Sequence, residues 1–469
     1  MTKDLIKAQN SAPLHHNSVN NGQGFSRREF FKLTGLGLSG FFFTRLASPL
    51  EVLAQTPAIS LLNTARYCIF IHLEGGPSHV DTFDLKEGSW TPADFQPTSY
   101  GQVRWPKGLM PRLAEQLPRI GLVRSMSAWA LVHPLAQQWT QIGRNPASGL
   151  SKVAPNIGAV VALEYESRRA ENQKLPGFIA LNSGNVVGRG YLEPRYAPFN
   201  VQTTPAGLAG AAHPEGEERF KRRYEALESF DKELRREGPL GTGPDEMATS
   251  YDQARGLMYN PDIQPVFQYS TDELARFGNN AFGAACLVAR NIIKADLGTR
   301  FIQINQGGWD HHSNIYDRNQ GIYPRTTQLD TGLAQLITEL AALPSRNGSG
   351  KTLLDDTLIV AMGEFGRTVG ALTGQRGRDH YLQMSALLAG GGVRGGRVIG
   401  ATDASGARTA DPGWSRGVDI RPEDIFSTIY SAMGIDYTTI RTDDPFKRGF
   451  EYVPYAKEGL YAPVEELFS

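Results

Sequence analysis

Two short segments in the second half of the chain combine acidic and imidazole side chains with glycines. Glu364 follows an apolar run at 358–362 within GEFGRT, and Asp379 and His380 are adjacent in the later segment GRDHY. An apolar run without polar alternation predicts a strand buried on both faces, and ligand groups collect at the carboxyl ends of such strands. The pattern therefore predicts that Glu364, Asp379 and His380 meet at one site. The alternative is a loop-start acid and an unrelated surface Asp-His pair.

A third segment, GGWDHHSN, follows a predicted strand at 300–305 and places Asp310, His311 and His312 next to one another. Imidazole and carboxylate together are the residue types that transition metals prefer. We therefore expect metal ligands in this segment. A surface turn in which the histidines have no such role is the alternative.

The loop after the first apolar run, at 67–73, repeats this combination. In the sequence EGGPSHVD, His79 and Asp81 are two positions apart, and the glycines before them allow a sharp turn. We expect His79 and Asp81 to supply or support ligands of the same site, because this run is also predicted to be a buried strand.

His133 stands directly before Pro134 at the predicted start of the helix HPLAQQWTQI. Proline is favourable in the first turn of a helix, and a helix amino terminus attracts anions. His133 is therefore a candidate to hold a substrate anion or a metal. A core histidine without either role is the alternative.

The elements that must position these residues alternate along the chain. Besides the three apolar runs, further apolar and amphipathic stretches predict strands at 121–124 and 176–181, and helices at 109–117, 157–166, 277–294, 326–343 and 421–433. This alternation predicts an α/β fold, with a doubly wound, mostly parallel sheet and helices on both faces.

One predicted helix differs from the others in composition. Residues 215–237 are highly charged and carry a single apolar stripe, which is typical of a helix with one solvated face. We expect it to belong to a helical insertion at about 205–265, within a single domain that spans 62–469.

The overall composition is that of an ordinary globular protein. Of 469 residues, 40% are hydrophobic and 20% are charged, and the formal net charge is zero. This balance gives no general attraction to nucleic acid, so no nucleic-acid partner is expected. Cys68 and Cys286 are far apart, both in apolar surroundings, and are predicted to be buried free thiols.

The first 54 residues predict an export signal. A polar leader precedes SRREFFK, which contains Arg27 and Arg28, and the apolar run that follows is too short to span a bilayer. Paired arginines in this setting resemble the twin-arginine signal. We therefore expect the twin-arginine export machinery as a partner, a periplasmic or extracellular location, and no transmembrane anchor.

Several segments together resemble a known family of exported proteins, the domain of unknown function 1501. The resemblance covers about residues 62–440, and the motifs that carry it are LEGGPSHVDTFD, FGNNAFGAACLVAR, GGWDHHSN, DDTLIVAMGEFGRT, GRDHY and LLAGGGVRGGRVIG. That family is similar in outline to the alkaline phosphatase and sulfatase superfamily, whose members bind one or two metals. The resemblance implies the superfamily's fold and a divalent metal, zinc or manganese.

The resemblance also implies site residues, which are Asp310 with His311 or His312, Glu364 and His380. Together with the loop patterns above, we expect Asp310, His312, Glu364 and His380 as metal ligands, with His79, Asp81, His311 and Asp379 as ligands or supporting residues. Arg367 is expected to neutralise an oxyanion, because guanidinium suits sulfate and phosphate.

Two departures from the superfamily pattern affect the expected chemistry. His133-Pro134 stands where the superfamily has a hydroxyl or thiol nucleophile, and Glu364-Phe365 replaces its Asp-His pair. These departures disfavour a covalent enzyme intermediate and leave attack by metal-bound water. We therefore expect an exported metal-dependent hydrolase of sulfate or phosphate esters, acting on an anionic substrate such as a sulfated polysaccharide. The alternative is a non-catalytic envelope protein that keeps the fold and binds glycan or protein partners.

Overall fold

The computed structural model describes residues 59–184, 186–236, 243–346, 348 and 350–469. The predicted leader and export signal, with Arg27 and Arg28, lie outside these residues.

The strands are short, and the longest of them carry the apolar runs seen in the sequence. They are β1 (Tyr67–His72), β2 (Pro97–Tyr100), β3 (Val103–Pro106), β4 (Ile120–Ser127), β5 (Phe178–Leu181), β6 (Phe199–Val201), β7 (Phe301–Asn305), β8 (Thr357–Met362), β9 (Gly366–Arg367), β10 (His380–Tyr381), β11 (Gln383–Ala389), β12 (Val398–Ile399), β13 (Ala401–Thr402), β14 (Thr409–Asp411), β15 (Ile440–Arg441) and β16 (Phe450–Glu451).

The helices fall mainly between the strands of the central sheet. They are α1 (Pro111–Gln116), α2 (His133–Ile142), α3 (Ile157–Glu166), α4 (Glu217–Arg236), α5 (Gly243–Leu257), α6 (Gln264–Phe267), α7 (Thr271–Arg276), α8 (Ala281–Ala295), α9 (Ile322–Ala342) and α10 (Pro422–Ala432).

Eight strands form one central sheet in the order β12-β4-β11-β8-β1-β7-β5-β6. Strand β1 pairs in parallel with β7 and β8, and the pairs β7–β5, β5–β6 and β4–β12 are also parallel. Strand β11 runs antiparallel to both of its neighbours. The prediction of a mostly parallel sheet is confirmed.

Both faces of the sheet are covered, because alternate side chains of each central strand enter different cores. Ile69 and Ile71 of β1 pack in the core that contains α8 and α9. Cys68 and Phe70 of the same strand pack in the core that contains α3 and α10. Strands buried on both faces read as continuous apolar runs, which is why the sequence signal was strong. The doubly wound α/β fold is therefore confirmed.

The two cysteines lie in these opposite cores. Cys68 and Cys286 are both buried and both free, as predicted. Desolvation raises the pKa of each thiol well above its ordinary value, so neither is a reactive thiolate.

The predicted charged helix is present as α4, followed by α5. Tyr224 of α4 is buried, whereas Phe230, on the same predicted stripe, is 71% exposed. In the described part of the chain, each helix is too short or too polar to cross a membrane.

Candidate metal centre

Four polar side chains converge at the carboxyl edge of the sheet. They are His133, Asp310, His312 and His380, and their ligand atoms all lie within 4.8 Å of one another. The Nε2 atoms of the three imidazoles lie 3.3, 3.1 and 3.6 Å, in that order, from Asp310 Oδ1. Three imidazole nitrogens and one carboxylate oxygen form a donor set that suits a four-coordinate transition metal.

The other nitrogen of each ring is held by an oxygen outside the cluster. His133 Nδ1 lies 2.7 Å from Glu364 Oε1, and His312 Nδ1 lies 2.7 Å from Asp379 Oδ1. His380 Nδ1 lies 2.7 Å from the carbonyl oxygen of Leu131. An ionised carboxylate or a carbonyl oxygen only accepts, so each Nδ1 carries the proton and donates it. In each neutral ring the lone pair is then on Nε2, which faces the cluster.

This arrangement leaves lone pairs facing one another. His312 Nε2 and His380 Nε2 are 2.9 Å apart, so a hydrogen bond between them requires a second proton on one ring. His133 Nε2 is buried and has no hydrogen-bond partner, despite its approach to Asp310. A cation bound among the three Nε2 atoms and Asp310 would satisfy all of these lone pairs. The residues present therefore fit a bound metal, with the outer oxygens fixing the ring tautomers.

Neighbouring strands bring the ligands together. Asp310 and His312 follow β7, and Glu364 follows β8, on either side of β1 in the sheet. His380 begins β10, which pairs antiparallel with β9 and places His380 opposite Arg367. His133 is the first residue of α2, which follows β4.

Close backbone approaches at two glycines make this assembly possible. A Cβ on Gly75, where φ is +112°, would lie 2.6 Å from the Asp310 backbone nitrogen. A Cβ on Gly377 would lie 2.0 Å from the backbone of His312. Side chains at either position would push the ligand-bearing loops apart.

Phe365 forms an apolar floor beneath two of the imidazoles. Its ring centroid lies 4.8 Å from that of His133 and 4.4 Å from that of His380, and its side chain is fully buried. Phe365 therefore limits the freedom of these two rings.

Glu364 lies behind His133 and is not one of the four converging groups. Its buried carboxylate accepts hydrogen bonds from the backbone N–H of Gly75 at 3.0 Å, from His133 and from Gln137. Burial alone would raise its pKa, but the hydrogen bonds from His133 and Gln137 lower it below its usual value. Glu364 therefore orients His133 as an ionised carboxylate from outside the four converging groups.

His72 was missed by the sequence analysis. It ends β1, is fully buried, and its Nε2 lies 3.6 Å from Glu364 Oε2 and 3.3 Å from the Thr140 hydroxyl. Burial lowers its pKa despite the nearby carboxylates, which favours the neutral ring. A polar residue at the end of an otherwise apolar strand was the signal that could have found it.

Arg367 is buried, and its guanidinium is surrounded by protein acceptors. It donates to the carbonyl oxygens of Gly76 at 2.9 Å and Arg378 at 3.0 Å, to that of Gly75, and to Asp310 Oδ1 at 2.6 Å. Burial opposes ionisation of Asp310, but Arg367 and the nearby imidazoles lower its pKa overall. Arg367 thus holds Asp310 in its charged form.

Electrostatics differ among the imidazoles. The hydrogen bond from His133 to Glu364 raises the pKa of His133. Desolvation lowers the pKa of His380, and the neighbouring cationic groups lower it further. Because metals bind neutral imidazole, the shift at His380 would favour a bound metal, whereas the shift at His133 would oppose one at low pH.

The remaining predicted residues occupy two kinds of position. Asp379 is largely exposed and supports His312. His311 is buried and is not one of the four converging groups, and desolvation with nearby arginines lowers its pKa to about 4.

His79 and Asp81 lie apart from the four converging groups. Asp81 is fully buried and accepts from Ser78 Oγ at 2.6 Å, from Tyr316 Oη at 2.8 Å and from Arg378 Nε at 2.7 Å. His79 Nε2 lies 2.8 Å from the carbonyl oxygen of Gly406. Both side chains therefore have structural partners.

The fold and this site define an α/β protein with a candidate metal centre at the carboxyl edge of a mostly parallel sheet. Residues 65–448 match the model of the family described as protein of unknown function (DUF1501). The chain belongs to this family, and the predicted family is thereby confirmed.

Solved structures with similarity to this chain include members of the alkaline phosphatase and sulfatase superfamily. A protein in the alkaline phosphatase superfamily from Vibrio parahaemolyticus is 10% identical, with a TM-score of 0.36, over 80% of this chain and 68% of that chain. A 2-O GAG sulfatase is 11% identical, with a TM-score of 0.36, over 84% and 74%. The lipoteichoic acid synthase LtaP from Listeria monocytogenes is 12% identical, with a TM-score of 0.36, over 84% and 77%. No curated protein sequence matches this chain significantly.

Proposed function

We propose that the chain is a metal-dependent hydrolase of phosphate or sulfate esters, with His133, Asp310, His312 and His380 as the metal ligands. The observation that carries this proposal is the convergence of three imidazole Nε2 atoms on one carboxylate oxygen, with each Nδ1 held from behind. Neutral histidines with such outer partners are typical of metal sites. Zinc or manganese suits the donor set better than calcium, which takes oxygen ligands.

A dication held here would polarise an ester oxygen and lower the pKa of water near the ester. The protein's own contribution is to position an anionic substrate. Helix α2 begins at His133, so its amino terminus, with its partial positive charge, faces the cluster and favours an anion there. The side chains of Asp310 and His312 are 44% and 42% exposed, so the cluster is open to a substrate from solvent.

Of two residues expected at the site, His133 keeps a role foreseen from the sequence and Arg367 takes a different one. His133 is proposed as a ligand and as the first residue of an anion-attracting helix, because its Nε2 faces the cluster. Arg367 is proposed to orient Asp310 in place of a direct oxyanion contact, because it is 1% exposed and its guanidinium is bonded to protein acceptors.

The test combines metal analysis with turnover. Chelated protein should take up about one zinc or manganese ion per chain by titration calorimetry and elemental analysis. The loaded protein should hydrolyse members of a panel that contains p-nitrophenyl phosphate, bis-p-nitrophenyl phosphate and p-nitrocatechol sulfate, and EDTA should remove that activity. Failure to bind either ion would remove the metal centre. A bound ion without turnover on any ester would favour the non-catalytic alternative.

Export remains a prediction based on Arg27 and Arg28, which lie outside the described residues. In this proposal the protein acts in the periplasm or outside the cell on an anionic ester such as a sulfated polysaccharide.

A further inference from the structure

A second feature lies beside helix α2, next to the candidate metal centre along the chain. It is a cavity of about 600 Å³ whose lining includes Trp129, Trp139, Arg144, Glu423 and Tyr455. The volume is in the range of small-molecule sites, and such sites combine aromatic walls with a few fixed polar groups. None of these residues takes part in the metal cluster.

The two indole rings are held in fixed positions. Glu423 is buried, and its two carboxylate oxygens accept one indole N–H each, from Trp129 at 2.9 Å and from Trp139 at 2.7 Å. The rings stack with centroids 6.0 Å apart, and the Arg421 guanidinium lies 4.0 Å from the centre of the Trp129 ring. Rigid aromatic surfaces of this kind bind a ligand at low cost in conformational entropy.

The lining of the cavity also includes a largely buried guanidinium. Arg144 is 4% exposed, and its Nη2 donates to the carbonyl oxygen of Glu451. Its Nε is buried and has no hydrogen-bond partner. Arg448 adds a second guanidinium to the lining. Guanidinium donors suit carboxylate or sulfate. Both carboxylates of the lining already accept protein donors, Glu423 from the two indoles and Glu451 from the backbone N–H of Tyr455.

The segment at 128–132 joins the cavity to the metal cluster. Its carbonyl at Leu131 accepts from His380 Nδ1 at 2.7 Å, and Trp129 reaches the cavity from the same segment. In the same segment, Leu131 and Val132 are 39% and 60% exposed. A ligand long enough to occupy both sites would therefore cross an apolar surface.

We infer that this cavity binds a saccharide unit that carries a carboxylate or sulfate, belonging to the same polymer whose ester lies at the metal cluster. The indole faces that Arg421 leaves open are electron-rich and attract the C–H faces of a pyranose ring, and the arginines bind its anionic group. This inference rests on the proposed function for the ester-cleaving step. The cavity's affinity for the saccharide does not require the metal.

The test measures saccharide binding by chelated protein through tryptophan fluorescence. The probes are hexasaccharides of chondroitin sulfate, alginate and carrageenan, with cellohexaose as the neutral comparison. At least one anionic hexasaccharide should saturate the signal and bind at least about tenfold more tightly than cellohexaose. Trp129→Ala should weaken that binding at least about tenfold, through the lost ring contact. Arg448→Gln should remove most of the preference for the anionic probe.

Two further variants keep the outcome interpretable. Phe446→Ala removes another aromatic residue, 50% exposed, that does not line the cavity, and should leave binding unchanged. His312→Ala should also keep saccharide binding, so failure of the metal centre would be distinguishable from failure of the cavity. No binding of any anionic hexasaccharide, equal binding of cellohexaose, or equal loss in Phe446→Ala would overturn the inference.

Discussion

The loops after β1 and β7 contain the same kinds of residue but form different structures. The first reads GGPSHVD and the second GGWDHHS, and the two strands are parallel neighbours in the sheet. In the first loop, Asp81 is fully buried and bonded to Ser78, Tyr316 and Arg378. In the second, Asp310 is about half exposed, and one of its oxygens faces three imidazole nitrogens.

The difference lies in the partner of each ligand atom. His79 Nε2 faces a carbonyl oxygen, which requires a proton on that nitrogen and uses it as a donor. His312 Nε2 faces another Nε2 atom, and its proton is held on Nδ1 by Asp379. Identical residue types therefore form a closed structural network in one loop and an open donor set in the other. What distinguishes the candidate metal site from the structural network is that unprotonated imidazole nitrogens converge only at the former.

The largest effect expected from this comparison is on folding stability. Asp81→Ala would leave Arg378 charged and buried without its carboxylate, and removing one partner of a buried ion pair costs about 3–5 kcal/mol. Denaturant unfolding should show a free energy of unfolding lower by about that amount. Zinc affinity of the folded variant should stay within about threefold of the original, because Asp81 contacts none of the four ligands. If Asp81→Ala instead lost much of its zinc affinity while keeping normal stability, the two loops would not differ in function as described.

In the second loop we expect the opposite: a large effect on zinc affinity and a small effect on folding stability. His312→Ala should lower zinc affinity more than about 100-fold, because losing a ligand exceeds the effect of losing a residue behind one. The free energy of unfolding without metal should change little, since this side chain is 42% exposed. Titration calorimetry of the chelated protein measures the affinity, with His213→Ala, near the start of α4, as the matched histidine control. Unchanged zinc binding in His312→Ala would contradict the proposed ligand set.

A smaller effect on zinc affinity is expected at Glu364, which contacts the proposed ligand His133 from behind. Glu364→Gln keeps an acceptor for His133 Nδ1 and removes the negative charge of the buried carboxylate. The loss of such an outer partner typically costs about 10- to 100-fold in metal affinity. Competition with a chromogenic zinc chelator should resolve a change of this size. If Glu364→Gln instead abolished zinc binding as completely as loss of His312, Glu364 would have to be a direct ligand, as the sequence pattern first indicated.

Much of the fold was predictable because strands buried on both faces give uninterrupted apolar runs, as at 67–71 and 358–362. The hairpin formed by β2 and β3 was missed, since it is short and has proline at both outer ends.

At the site, the sequence indicated the right loops and several of the converging residues. It could not indicate that Leu131 holds His380, because the contact joins distant segments through a backbone carbonyl. Nor could it tell that Asp81 pairs with Arg378, a partner set by tertiary packing.

The smallest effect is expected at Asp379, and it separates the contribution of burial from that of the hydrogen bond. Asp379 supports His312 at 2.7 Å, the same distance at which Glu364 supports His133, but its side chain is 60% exposed whereas that of Glu364 is fully buried. Water and ions screen an exposed charge and can replace it as a partner of Nδ1. Asp379→Asn should therefore weaken zinc binding by less than about tenfold, below the range typical of outer partners. The competition assay used for Glu364→Gln provides the direct comparison. An equal or larger loss in Asp379→Asn would mean that the tautomer of His312, and not the burial of the outer carboxylate, controls the affinity of the centre.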